Sequence, residues 1–215
     1  MNTIEGFKRN AATMGLCAAV LSGGCAVMEP KAERWSPPAA GSTWEVAQRN
    51  TGSYGKDVRL QISRGDGTWE GAKVMTYSNS LGMTTMATLD DGSWIAIVGR
   101  NGKPLLSFDP PLGWQYPIMV GKTWTTSHKV TVHATGKTTP FEMACKVGDH
   151  GDVTVPAGTF KAFKLACATT LGNEDRFWFS ADHGIFVKTS LRRTEKSPFG
   201  PGTQEAELVS QAIRK

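Results

Sequence analysis

The chain is 215 residues long, with 40% hydrophobic residues, 20% charged residues and a formal net charge of +5. That composition suits one folded domain with its own core and excludes a low-complexity or largely disordered chain. Lys and Arg are scattered over many segments with no run of like charge, so the charge reads as a solvated surface and argues against nucleic acid as a partner.

The N-terminus carries Lys8-Arg9, a short apolar run from Ala11 to Leu21, and then Ser22-Gly23-Gly24-Cys25. A basic start, a hydrophobic middle and small residues before a cut are the three parts of an export signal, and this middle is too short for a stable membrane span. Leu21-Ser22-Gly23-Gly24-Cys25 resembles a lipobox, with Leu21 one place further from the cysteine than in the commonest form. The resemblance implies a lipoprotein signal peptide over residues 1–24 and a diacylated Cys25 as the first residue after cleavage. The membrane is then a partner through this anchor, each buried CH₂ contributing about 0.8 kcal/mol. Ala26 follows the cysteine in place of Asp, which implies the outer membrane, facing the periplasm. Pro30, Pro37, Pro38, Ala39, Ala40 and Gly41 make residues 25–42 a tether. The alternative is an ordinary signal peptide with Cys25 incidental.

Residues 43–215 read as a single all-β domain, because runs of Val, Ile, Thr and aromatics alternate with turn signals and no stretch keeps a helical period. Val58, Leu60 and Ile62 alternate with Asp57, Arg59 and Gln61, a strand with one wet face. Asp66-Gly67 predicts a hairpin turn, with Trp69 to Tyr77 as the return strand. Met83–Leu89, Ser93–Val98 and Leu105–Phe108 follow, joined at Asp90-Asp91-Gly92 and Asn101-Gly102. Three such turns in succession predict an antiparallel meander.

Between Asp109 and Lys122, the prolines at 110, 111 and 117 and the glycines at 113 and 121 predict a loop crossing to a second group of strands. That group begins with Trp124–Ala134, turns at Gly136-Lys137 and continues through Pro140–Val147. Asp149-His150-Gly151-Asp152 reads as a bulged polar turn. Val153-Thr154-Val155-Pro156-Ala157-Gly158-Thr159-Phe160 reads as a hairpin, Pro156 pre-setting φ and Gly158 accepting a conformation other residues resist. Phe160 and Phe163 fall on opposite faces of the returning strand, so one needs cover outside the main core. Arg176–Phe179 and Ile185–Leu191 flank Asp182-His183-Gly184, and Glu205–Ile213 is a last strand or a short helix. About a dozen short strands fit one strongly curved sheet, a half-barrel or a sandwich.

Taken together, Pro117-Ile118-Met119-Val120-Gly121-Lys122-Thr123-Trp124, the Val-Pro-Ala-Gly-Thr-Phe hairpin, and Phe177-Trp178-Phe179 through Gly184-Ile185-Phe186-Val187-Lys188 resemble a group of uncharacterised bacterial envelope β domains. In these a Gly-Lys-(Ser/Thr)-Trp element, that hairpin and an aromatic strand ending in Gly-hydrophobic-Val-Lys recur in this order. The resemblance covers residues 112–190 and implies a fold without implying an activity.

If Cys17 leaves with the signal and Cys25 takes the lipid, Cys145 and Cys167 are left to pair. Folding the chain about Pro156 sets them opposite each other, and neighbouring strands at a non-hydrogen-bonded pair lie about 4.5 Å apart at Cα, close enough for a disulfide. An oxidising compartment favours the bond. The loop closed spans 22 residues, a stabilisation on the order of 3 kcal/mol in the chain-entropy model. A metal site joining these cysteines to His150 fits no zinc spacing, and no metal is assigned.

The chain contains no Gly-rich phosphate loop, His-Glu-x-x-His helix or Gly-x-Ser-x-Gly elbow. No cofactor and no catalytic residue is therefore assigned. His128, His133, His150 and His183 each fall beside a turn or on a polar strand face. Trp35, Trp44, Trp69, Trp94, Trp114, Trp124 and Trp178 read as core or rim residues in preference to a ligand-stacking set.

Two functions remain. The first is a non-enzymatic outer-membrane lipoprotein, a binding or interaction module for an envelope protein or a hydrophobic ligand. One version holds an acyl chain on the concave face, by analogy of architecture with lipoprotein carrier and receptor proteins of the envelope. The second is a cell-envelope enzyme acting on glycan or peptide, with the Trp114 loop and the His150 turn lining a cleft.

Overall fold

The structure is a computed structural model that describes residues 29–214. The signal-peptide segment 1–24 and Cys25 lie outside the described residues. The strands are β1 (Lys31–Ala32), β2 (Thr43–Gly52), β3 (Val58–Trp69), β4 (Ala72–Asn79), β5 (Thr84–Ala87), β6 (Trp94–Val98) and β7 (Pro104–Leu112). They continue as β8 (Ile118–Met119), β9 (Thr123–Val132), β10 (Lys137–Val155), β11 (Gly158–Thr169), β12 (Asn173–Ser180), β13 (Ile185–Arg193) and β14 (Gly202–Ala212).

Twelve of them close into one antiparallel barrel: β2 to β7 in order, then β9 to β14, with β14 returning to β2 from Gly202↔Gly52 to Ala212↔Thr43. The all-β antiparallel reading holds. Closure decides among its architectures, because pairing β14 to β2 leaves neither strand as an edge, which an open half-barrel would. The predicted second group of strands is the other half of the same wall, joined by the β7–β9 pairing from Leu106↔Val132 to Asp109↔Lys129. The segment 205–212 resolves to strand.

Most wall strands alternate, although β4 buries both Val74 and Met75. On β10, Phe141, Met143, Cys145 and Val147 are buried while Glu142, Ala144 and Lys146 are exposed. The outer face carries cross-strand ion pairs, Arg59 with Glu45 at 3.0 Å, Lys188 with Glu207 at 2.7 Å and Arg192 with Glu174 at 2.8 Å. A charged outside around an apolar inside is the reverse of a membrane-spanning barrel.

Three turn expectations are corrected. Asp66-Gly67 lies within β3, paired to Met75 and Val74, and the chain turns at Glu70-Gly71, both at positive φ (50° and 83°). The two glycines at 65 and 67 serve closeness instead: a Cβ on either would come within 2.9 Å of the Thr76 side chain on β4. Pro110 and Pro111 do not end β7, which runs to Leu112. The β6–β7 pairing skips from Ser107 to Leu112, so neither proline faces a ladder acceptor that needs an N–H. Asp149 to Asp152 is strand, paired to Lys164 to Lys161, and the irregularity falls one residue earlier, at Gly148.

The β10–β11 hairpin closes with Val155 opposite Gly158, φ 127° at the glycine. The hairpin overshoots β12, whose pairing with β11 stops at Phe163↔Phe179. Phe163 packs with Phe141, Val147, Leu165 and Phe179, whereas Phe160, on the other face, packs with Trp44, Val46, Leu60, Ile185 and Leu208. The backbone N–H of Ala157 donates to the Leu208 carbonyl at 3.1 Å, fixing the tip against β14. Phe160 thus finds its cover in a second cluster, and the molecule has two apolar clusters instead of one.

Because every neighbour is antiparallel, connections alternate between two barrel ends. At the N-terminal end lie β1, β8 and the β3–β4, β5–β6, β10–β11 and β12–β13 turns. There Lys31 and Ala32 pair with Met119 and Ile118. Trp35 stacks on Phe179 at 5.7 Å and meets Tyr116 edge-on at 6.4 Å. Gly92 (φ 72°) makes room for that indole, since a Cβ there would stand 2.6 Å from the ring. The far end carries the other six turns.

Candidate functional site: the barrel interior

The wall residues do not fill the barrel, which is wider than the eight-stranded barrels whose side chains pack solid. Two adjoining cavities remain between the two apolar clusters. The first, about 270 Å³, lies among Leu106, Phe108, Val130, Phe141 and Met143 and reaches the far-end turns at Tyr54, Leu171 and Phe199. The second, about 290 Å³, lies among Trp44, Val46, Leu60, Ile62 and Tyr77. Both are bordered by Trp94, Trp114, Phe177, Phe186 and Leu191, so one aromatic partition serves the two. Trp94 is 39% exposed although it borders both.

Trp114 is central to that partition. The segment Gly113 to Pro117 turns its indole against Trp124, Phe177 and Phe186, with centroids at 6.2, 4.9 and 5.7 Å. The Lys122 ammonium donates to the carbonyls of Gln115 at 2.5 Å and Pro117 at 2.8 Å, fastening the segment. Desolvation lowers the Lys122 pKa.

Polar groups in the chambers are few. Gln48 and Gln204 border the second, with the Gln204 amide donating to Gln48 at 3.3 Å. Asn173, Asp175 and Arg193 border the first near its far end. The Arg193 guanidinium lies between the rings of Tyr54 and Phe199, at 4.1 and 4.9 Å. Burial raises the Asp175 carboxyl to about 6, against the opposing pull of the Arg192 N–H and the Arg193 charge.

The Asp175 shift has a sign that can be tested. An ordinary aspartate titrates near 3.9, so between about pH 4 and 6 the folded chain keeps a proton that the unfolded chain has lost. Stability therefore falls as pH rises through that window, by about 3 kcal/mol from this group, and the penalty persists above it. Asp175→Asn is expected to raise stability at neutral pH by about that amount and to flatten the slope, measured by urea unfolding at several pH values.

The sequence reading missed Asp175 because it began the strand at Arg176. Extending the period-2 pattern of Phe177 and Phe179 backwards puts Asp175 and Asn173 on the same inward face.

Cys145 and Cys167 are joined by a disulfide, Cα atoms 4.1 Å apart. Register places Trp124, Cys145, Cys167 and Asp175 side by side across β9 to β12. The enzyme alternative needs Trp114 and His150 in one cleft. Trp114 is internal, while His150 lies within β10, its ring 4.4 Å from Phe163, and borders neither chamber. His128, expected on a polar face, is buried at 5% exposure between the Pro110 carbonyl (3.0 Å) and the Thr126 hydroxyl (2.8 Å). Among the described residues, no three of His, Cys, Asp and Glu come together as a metal site would require.

No family model matches the chain, and no curated protein matches it. Among solved structures it is similar to a candidate lipoprotein of Parabacteroides distasonis, at 11% identity and TM-score 0.46, with 84% of this chain and 99% of that one covered. A candidate exported protein with a YmcC-like fold from Bacteroides fragilis gives 11% identity and TM-score 0.48, over 84% of this chain and 99% of that one. The hypothetical lipoprotein YmcC from Escherichia coli gives 9% identity and TM-score 0.46, over 81% and 86%. The chain is thus similar in structure, at low identity, to lipoproteins and exported proteins.

Proposed function

We propose that this chain is a non-enzymatic binding protein of the cell envelope, acylated at Cys25, held at the periplasmic face of the outer membrane, and built to take one apolar chain into its barrel. The observation that carries the ligand part is the pair of adjoining apolar chambers, about 270 and 290 Å³, inside a closed wall. Small-molecule sites run from roughly 300 to 1,000 Å³ and are mostly apolar with a few placed polar groups. Joined, the chambers fall in that range. Aliphatic and aromatic side chains dominate the lining, with Gln48, Asn79, Lys188 and Gln204 bordering one chamber and Asn173, Asp175 and Arg193 the other, and that balance favours an apolar ligand over a sugar or a peptide. An acyl chain needs no more than the apolar lining. The anchor part rests on the lipobox-like Leu21-Ser22-Gly23-Gly24-Cys25.

The test is native mass spectrometry of protein purified from its own membranes, paired with uptake of a fluorescent fatty acid by delipidated protein. One lipid per chain, or saturable uptake, is the expected result. Ala206→Phe, placed in the second chamber's wall, is expected to weaken uptake at least about tenfold with the fold intact. No bound lipid together with no uptake would overturn the reading.

A further inference from the structure

Unpaired positive charge gathers at the far end of the barrel. At the far end the turns and the first residue of β10 present Lys56, Arg100, Lys103, Lys137 and Lys196, all exposed, against the acids Asp57 and Glu195. Asp57 is occupied by its own turn, accepting the Asn50 N–H at 2.7 Å. The N-terminal end is mixed: Glu33, Glu70, Asp90, Asp91 and Asp182 stand with Lys31, Arg34, Lys73, Arg214 and Lys122, and the Lys122 ammonium is already bonded to two carbonyls.

Large apolar side chains stand in the open at both ends, Leu89, Trp94 and Val120 at the N-terminal end and, on the far rim, Leu81 at 50% exposure, Met83 at 37%, Leu105 at 41% and Phe199 at 38%. Those of the far rim stand among the cations. The Arg100 guanidinium donates to the Leu81 carbonyl at 3.4 Å, holding the β4–β5 and β6–β7 tips side by side. Leu105 lies two residues from Lys103, and Phe199 is covered on one face by Arg193. Single exposed apolar residues need no explanation, but apolar tips interleaved with unpaired cations at one end of a molecule are the signature of a surface that enters a lipid interface.

We propose that the far rim docks on an anionic phospholipid bilayer, with the five cations at headgroup phosphates and Leu81, Met83 and Phe199 entering the acyl boundary. Lys and Arg near such a surface each add to binding, and the effect fades within a Debye length. An anionic polymer would use the cations and leave the apolar tips in water. The proposal does not depend on the barrel holding a ligand, though the chamber that ends at Tyr54, Leu171 and Phe199 would then open onto the membrane.

The experiment is vesicle co-sedimentation of the full chain carrying Cys25→Ser, so that no acyl group at that position contributes. Vesicles of phosphatidylcholine alone are compared with equimolar phosphatidylcholine and phosphatidylglycerol, at low and high salt. Binding is expected only to the anionic vesicles and should weaken with salt. The triple variant K56E/R100E/K103E is expected to lose about a hundredfold or more in partition. Leu81→Ser should lose affinity while keeping the salt dependence, and Lys73→Glu at the opposite end should change little. Equal binding to both vesicles, undiminished binding by the triple variant, or binding to an anionic polysaccharide without binding to vesicles would overturn the proposal. Vesicle binding by protein that takes up no fatty acid would leave this proposal standing and remove the ligand reading.

Discussion

Replacing Trp114 with alanine is expected to cost about 3 kcal/mol or more of stability, and at the same time to let the barrel accept a longer chain. The loss follows from packing: the indole has Trp124, Phe177 and Phe186 around it, and truncating a large aromatic removes its contacts and leaves a void. The gain follows from position. Trp114 borders both chambers together with Trp94, Phe177, Phe186 and Leu191, so its removal opens a gap in the partition between them. Urea unfolding reads the first effect and a series of fluorescent fatty acids of increasing length reads the second. Shorter probes should bind about as before, and the longest should bind better than in the parent chain. If every probe binds worse while the fold survives, Trp114 stacks on the ligand instead of dividing its space. That result would move the indole from wall to binding contact and revive the stacking role that the sequence argued against.

Much of the wall was legible because a strand with one wet face repeats at period two. Val58 to Ile62, Lys129 to Val132 and Pro140 to Val147 all show that alternation, and all are strands. Closure was not legible, since the β14–β2 pairing joins residues near opposite ends of the domain and neither strand carries a mark of its partner. Asp66-Gly67 misled because glycine has two uses. At 65 and 67 it lets Thr76 come close, and the actual turn uses Glu70, a residue no turn rule favours at positive φ. The prolines at 110 and 111 misled because the rule against them concerns ladder donors, and the β6–β7 pairing leaves that stretch out. The chambers depend on a connection whose Trp114 side chain re-enters the barrel, which no local pattern announces.

Counting outward from Pro156 with Val155 opposite Ala157 pairs Cys145 with Cys167, but that count is one residue off at the tip and a bulge further along cancels the error. Two residues, Pro156 and Ala157, form the tip, and with Val155 opposite Gly158 a regular ladder would set Cys145 against Ala168. The extra residue at Gly148 shifts the register by one and brings Cys145 opposite Cys167. The double variant Cys145→Ala/Cys167→Ala is expected to lose up to about 3 kcal/mol, the loop-closure value for this span, and less where the unfolded chain retains hairpin character. Urea midpoints give the loss, and a changed slope would report that unfolded-state structure. Cys145 and Cys167 are 4% and 6% exposed, so a reductant reaches the sulfurs only when the wall opens. Native protein should therefore keep the bond in dithiothreitol and lose it once denaturant is added, with alkylation and intact mass as the readout. Rapid reduction of the native protein would mean that the wall between β9 and β12 opens readily. That stretch, where Asp175 sits beside Cys167, would then join the far end as a route into the barrel.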